Sequence, residues 1–239
     1  MLQFMRPRRP AGFAASVRSA QDIVRAAALA GDAPVFDQTL WQKHKHAFIK
    51  AQWGKCGYCE TYSMNHPGAV EHFAPKSEVQ ELLDEGVEVD STAQVERRKT
   101  PALCSGGYWW LSYSWDNWLF ACERCNSAWK RCLFPVRTKR RTLPPEPGKK
   151  EAPLLLSPFG KVDPTEHLRF SKAGQIAARS RSYRGEATIK TCGLDRESLR
   201  RAREGIAMNT YRYVDRLLFA LKTNDLSKAH WAVEDLLSL

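Results

Sequence analysis

Two cysteine pairs, Cys56-x-x-Cys59 in "KCGYCE" and Cys122-x-x-Cys125 in "ACERCN", restrict the fold of this chain more than any other feature. If they meet, residues 60–121 become a closed loop. Thiolates are soft ligands that suit a tetrahedral ion such as zinc, and a four-sulfur shell leaves no open position for substrate. The pattern predicts a structural zinc site that clamps two distant segments and offsets the entropy of closing the loop between them. The gap is longer than the ~15–20 residues of a compact zinc ribbon. Four unrelated buried thiols, or one redox C-x-x-C, are the competing readings. The total of seven cysteines is odd, which argues against a disulfide framework. Cys104, Cys132 and Cys192 are expected as plain core cysteines.

Around these anchors the chain reads as α+β. Residues 1–38 form an N-terminal arm with one helix, around "SVRSAQDIVRAAALA", which Gly31 ends. Thr39 and Gln42 fit a capping box opening a second helix, with Leu40, His44, Ala47, Phe48 and Ala51 on one face and Gly54 as its stop. "AVEHFAP" (69–75) is strand-like. An acidic, polar insertion follows at 77–105, then the tryptophan-rich "GGYWWLSYSWDNWLFAC", whose rings are expected to pack around the zinc site. A helix from about Cys125 to Leu133 stops before Pro135. The basic, proline-rich stretch at 136–150 reads as a linker between a core at 39–135 and a C-terminal region at 151–239. That last region holds a hairpin turning at Gly174, a long helix capped by Asp195, and a second helix over 226–238.

If the knuckles share a metal, the segment threaded between them lies close by. Glu71, His72, Asn117, Asn126 and Lys130 then gather in one region. The Glu71 carboxylate and Asn126 amide oxygen are hard donors suited to magnesium or manganese. His72 can take a proton from water, because its ordinary pKa is near neutrality. Lys130 lies one α-helical turn beyond Asn126 and either binds phosphate on the same face or is simply solvated. Adjacent residues on an ideal strand point to opposite sides. A twist at the strand end is therefore needed if Glu71 and His72 serve one phosphate.

"C-G-Y-C", "V-E-H-F-A-P-K" and "W-D-N-W-L-F-A-C-E-R-C-N-S-A-W-K" together resemble the HNH endonucleases of the ββα-metal (His-Me finger) class with a zinc knuckle, over residues 55–135. The resemblance implies that Glu71 and Asn126 hold the catalytic magnesium or manganese ion, that His72 is the general base, and that Asn117 braces the loop. Glu71 stands where aspartate or histidine is more usual, and asparagine rather than histidine at 126 favours magnesium. "LLLSPFGKVDPTEHLRF" and "RGEATIKTCGLDRESLRRAR" resemble the tail of a narrower group, the HNH nucleases of Septu-type and retron-linked anti-phage systems. Membership would imply an effector nuclease working beside an SMC- or ABC-like ATPase.

The net charge of +11 supports a nucleic-acid partner. DNA is the default substrate, with RNA or tRNA open, because phosphate contacts do not read sequence. "RTKRR" (137–141), Arg179, Arg181 and Arg184 could extend that footprint. His66 reads either as a second phosphate or metal contact or as loop surface, while His44, His46, His167 and His230 carry no comparable signal. No apolar run approaches the ~20 residues of a membrane span, and the start lacks a secretory signal, so a cytoplasmic protein is expected. The alternative to an enzyme is a non-catalytic zinc-stapled nucleic-acid-binding or adaptor protein, which would need the knuckles but not Glu71, His72 and Asn126.

Overall fold

The computed structural model describes residues 1–62, 68–80, 103–138, 140–141, 143–144 and 151–237. His66, the side chain of Cys104, most of the acidic insertion and much of the linker lie outside this set.

Helix α1 (Phe13–Ala30) ends at Gly31, whose φ of 85° is cheap only for glycine. The next expected helix is broken. A single turn, α2 (Thr39–Gln42), is followed by α3 (Lys45–Ala51). Thr39 does not cap. Its N–H and hydroxyl both donate to Asp37 Oδ1, at 2.9 and 2.7 Å, so the turn begins on an Asx motif instead. Gly54 does end α3, with φ 73° and its N–H on the Ile49 carbonyl at 2.9 Å.

Strand β1 (Ala69–His72) pairs antiparallel with β4 (Trp118–Ala121), Glu71 opposite Leu119 and His72 opposite Trp118. Between them, β2 (Glu78–Gln80) and β3 (Leu103–Gly106) form a second ribbon at the root of the insertion. Two 3-10 turns, Trp109–Leu111 and Trp115–Asn117, lead into β4. Gln52, fully buried, stitches α3 to β4: its amide donates to the Phe120 carbonyl at 2.8 Å and its oxygen accepts from the Phe120 N–H at 2.8 Å. Gly57 N–H, in the first knuckle, donates to the same carbonyl at 3.0 Å.

The segment after β4 is π-wound, Arg124–Lys130, rather than α-helical. Its mark is the Arg131 N–H on the Asn126 carbonyl, five residues back, at 2.8 Å. Arg131 then reverses the chain at φ 47°. Hence Asn126 and Lys130 are not stacked as an i, i+4 pair would be.

The C-terminal region opens with a 3-10 turn at Pro164–Glu166 and the hairpin β5 (Leu168–Phe170)–β6 (Ile176–Ala178), with Gly174 at φ 73°. Helices α4 (Tyr183–Cys192), α5 (Glu197–Lys222) and α6 (Leu226–Leu237) follow. Asp195 does not cap α5; the residue before its first turn is Arg196, and no side chain accepts there.

Two buried clusters flank the β1–β4 ribbon. One joins Cys56, Tyr58, Leu119 and Cys125 to Leu155, Leu156, Ile189, Cys192, Leu194 and Leu199. The region after the linker therefore shares its core with the knuckles. The other cluster joins Phe13, Val17, Val24, Trp41 and Phe48 to Trp109, Trp115, Trp118 and Phe120. This corrects the expectation for the tryptophans, three of which pack on the N-terminal helices rather than around the cysteines. Burying a large apolar side chain stabilises by about 1.5–3 kcal/mol, so this second cluster is what fixes the N-terminal segment against the ribbon. Arg6 adds hydrogen bonds from Nη1 to the Trp115 and Trp118 carbonyls at 2.8 and 2.9 Å.

Candidate functional site

The two knuckles do meet. The sulfurs of Cys56, Cys59, Cys122 and Cys125 lie within 4.8 Å of one another, and three of the four residues are buried. Four close thiols cannot all ionise unaided. Shared hydrogen bonds hold Cys59 well below the ordinary thiol value and Cys122 at about 7, while they push Cys56 and Cys125 up. A bound cation would relieve that conflict, and the donor set suits zinc. Arg196 Nη2 lies 3.6 Å from Cys125 Sγ. Burial alone would lower this guanidinium, but the Cys125 and Cys59 sulfurs hold it above its ordinary value. Cys132 and Cys192 stand apart from the cluster. The former donates to Glu78 at 2.9 Å and the latter is fully buried.

On the other side of β1 is a cleft of about 640 Å³ lined by Glu71, His72, Lys76 and Asn126, with Phe36, Trp41, Gln42 and Lys45 facing them. Three of the five residues singled out from sequence, Glu71, His72 and Asn126, therefore share one cavity. The alternation of the strand is met at its end. Glu71 turns toward the π-helix, His72 toward the tryptophan cluster, and the cleft runs past both.

His72 Nε2 lies 2.8 Å from the Ser112 carbonyl. A carbonyl only accepts, so Nε2 carries the proton and Nδ1 keeps its lone pair. Trp118 Nε1–H donates to the same carbonyl at 3.0 Å, which makes its 3.2 Å approach to Nε2 a meeting of two donors on one acceptor. The Trp41 ring stands edge-on to the imidazole at 4.9 Å between centroids. Burial pushes the His72 pKa down to about 3, with the Lys76 charge adding and the Ser112 hydrogen bond opposing. The near-neutral value expected from its residue type is thus not kept, because a charged ring has lost its water.

Glu71 is 5% exposed, and burial pushes its pKa up even though the Lys130 ammonium opposes this. Lys130 Nζ lies 2.5 Å from Glu71 Oε1, a close charge-assisted contact that pairs this oxygen with the ammonium. The same ammonium donates to the His72 carbonyl at 3.0 Å. Lys130 is fully buried. Both expectations for it, a phosphate ligand or a solvated lysine, needed an accessible ammonium. The π winding swings it beneath β1 instead.

Asn117 does not line the cleft. Its Oδ1 accepts from the Ala74 N–H at 2.8 Å, and its Nδ2 donates to the Ala74 carbonyl at 2.9 Å. Its own carbonyl accepts from the Phe73 N–H at 2.8 Å. It braces the loop leaving β1, as a bracing residue would.

Sequence reasoning missed Lys76, Phe36, Trp41 and Ser112. Lys76 had a signal, as a lysine directly following the strand and Pro75. Trp41 had a weaker one, as a tryptophan outside the 106–122 block. Ser112 contributes a backbone carbonyl, for which no side-chain signal exists. Arg179, Arg181 and Arg184 do not line the cleft, and Arg179 Nε donates to the Thr165 carbonyl at 2.6 Å. His44 packs edge-on against Phe13 and Trp115, and His167 Nδ1 lies 2.8 Å from Ser182 Oγ, both structural contacts. Among the described residues no helix is long and apolar enough to cross a membrane.

Over 156 residues, 64% of its length, the chain is 35% identical to the Septu protein PtuB of Bacillus mycoides (strain KBAB4). The match spans about half of that protein, 47% of its length. No family model and no solved structure matches the chain.

Proposed function

We propose that the chain is a metal-dependent HNH endonuclease that hydrolyses phosphodiester bonds, with β1, β4 and the following π-helix as its ββα-metal core. DNA is the default substrate and RNA the alternative. The observation that carries this reading is the single cleft shared by Glu71, His72 and Asn126. The donor types suit a hard cation: the Glu71 carboxylate and the Asn126 amide oxygen, on facing elements of one cleft. A magnesium or manganese ion held by Glu71 and Asn126 would supply positive charge to the phosphate and the leaving oxygen.

The rest of the chemistry belongs to the chain. Ser112 fixes His72 in the tautomer whose Nδ1 lone pair can take a proton from water. The ring is already neutral at physiological pH, so no proton has to leave before it acts. The oxygen of that water forms the new bond to phosphorus as the bond to the leaving oxygen breaks. Burial is the main reason the ring is a weak base; substrate phosphate brings negative charge beside it and opposes the smaller depression from Lys76 and Lys130. Lys130 holds Glu71 in place from below, and Asn117 holds the loop that ends the strand. The four-sulfur site takes no part in the reaction and serves as the clamp.

The similarity to a Septu protein supports a role in anti-phage defence. Our reading of that role, from the resemblance of the tail motifs, is an effector nuclease working beside an SMC- or ABC-like ATPase. Helices α5 and α6 expose Ile206, Met208, Phe219, Leu226 and Trp231, an apolar surface of the kind a partner covers. Wild type and His72→Ala, incubated with plasmid, linear duplex and tRNA with magnesium, with manganese and with chelator, test the enzymatic reading. Metal-dependent cleavage by the wild type alone is expected. Equal cleavage by both proteins would remove His72 as the base, and a wild type inert on every substrate, with the ATPase present, would leave the adaptor reading.

A further inference from the structure

The loop after β1 is fastened at nearly every residue. Asn117 holds Phe73 and Ala74; the Pro75 carbonyl accepts from Tyr108 N–H at 2.7 Å, and the Ser77 carbonyl from Gly107 N–H at 2.9 Å. Gly107 has to be glycine for this approach, since a Cβ there would lie 2.4 Å from the Lys76 carbonyl carbon. The backbone at Lys76 is therefore placed as firmly as the strand itself.

The Lys76 side chain reaches over the same cleft as Glu71, His72 and Asn126. Its Nζ stands 5.3 Å from the centroid of Phe36 and 5.2 Å from that of Trp41. Both separations fall within the ~6 Å range of a cation–π contact. Among the described residues it makes no ion pair. The two rings hold the ammonium while leaving its N–H donors for an oxyanion. Burial lowers its pKa, with Glu71 opposing, which is the state of a cation short of solvent and of a close counter-ion. Lys130, the more obvious lysine, is already neutralised by Glu71.

We infer that Lys76, seated between Phe36 and Trp41, is the cation that grips the substrate phosphate in the cleft, and that Lys130 is only the buried counter-charge of Glu71. This rests on the nuclease reading, but its test does not need turnover. The N-terminal segment thereby becomes part of the substrate site, because it supplies both rings.

The test is fluorescence anisotropy of the full chain with labelled duplex DNA, single-stranded DNA and an RNA hairpin, without added divalent ions, over a range of salt. Lys76→Met is expected to weaken binding about tenfold and to flatten the log Kd–log salt slope by about 0.7–0.9, one phosphate contact. Lys76→Arg should restore both within about threefold. Lys172→Met, which removes the same charge from the exposed β5–β6 turn, should leave both close to wild type. All three should unfold at the wild-type temperature. Lys76→Met behaving like Lys172→Met would overturn the inference, as would a wild type that binds none of the three polyanions. A protein that still cleaves in a His72-dependent way while Lys76→Met binds normally would keep the nuclease reading and lose this assignment.

Discussion

Acidification from about pH 7.5 to about pH 5 should destabilise the folded protein by about 2 kcal/mol through His72 alone. The unfolded ring binds a proton near its ordinary value of 6.5, whereas the buried ring, 6% exposed, resists until about 3. Between those values the unfolded state holds more protons, so stability is complete above 6.5 and falls as pH drops through the window. Integrated from about pH 7.5 to about pH 5, one group with this shift contributes about 2 kcal/mol, or about 4–8 °C in Tm for a chain of this size. Other groups titrate too, and a four-thiolate metal site weakens in acid, so the comparison has to be differential. Denaturant unfolding of wild type and His72→Gln at both pH values isolates the ring, because glutamine can still donate to Ser112 but cannot titrate. The wild type should lose about 2 kcal/mol more than the variant. Equal losses in the two proteins would mean that the imidazole is not held neutral, and the assignment of Nδ1 as a ready base would fall with it.

Lys130→Met should destabilise by about 3–5 kcal/mol, because it leaves the Glu71 carboxylate buried without a counter-charge. Adding Glu71→Gln should recover most of that loss in thermal denaturation, which a merely badly packed methionine would not allow. Cys122→Ser should lower bound zinc from one per chain to none by metal analysis. Its Tm should fall sharply as the clamp between the knuckles opens.

Much of the site was legible because its chemistry sits in residue types at fixed spacing. The two C-x-x-C pairs named their own cluster, and "V-E-H-F" ended at the cleft that Asn126 also reaches. Lys130 was misplaced because the reading assumed 3.6 residues per turn. Nothing in "RCNSAWK" announces the π winding that the structure shows there. The broken helix at 43–44 and the uncapped start of α5 are of the same kind, since local propensity was right about helix and wrong about its ends. The tryptophans were correctly taken as core, but sequence does not say which side of a two-stranded ribbon a ring will choose. That choice put Trp109, Trp115 and Trp118 on the helices of the N-terminal segment, and with them the wall opposite Lys76.

At Gly193, the left-handed end of α4, a β-carbon would come within 2.0 Å of the Trp129 indole. The indole therefore lies flat on bare backbone contributed by the far half of the molecule. An excised fragment stopping near residue 150 would retain every side chain that lines the cleft and still lack the floor under the turn that carries Asn126. Anyone hoping to transplant the minimal strand–strand–helix unit into another scaffold should expect to carry α4 along with it.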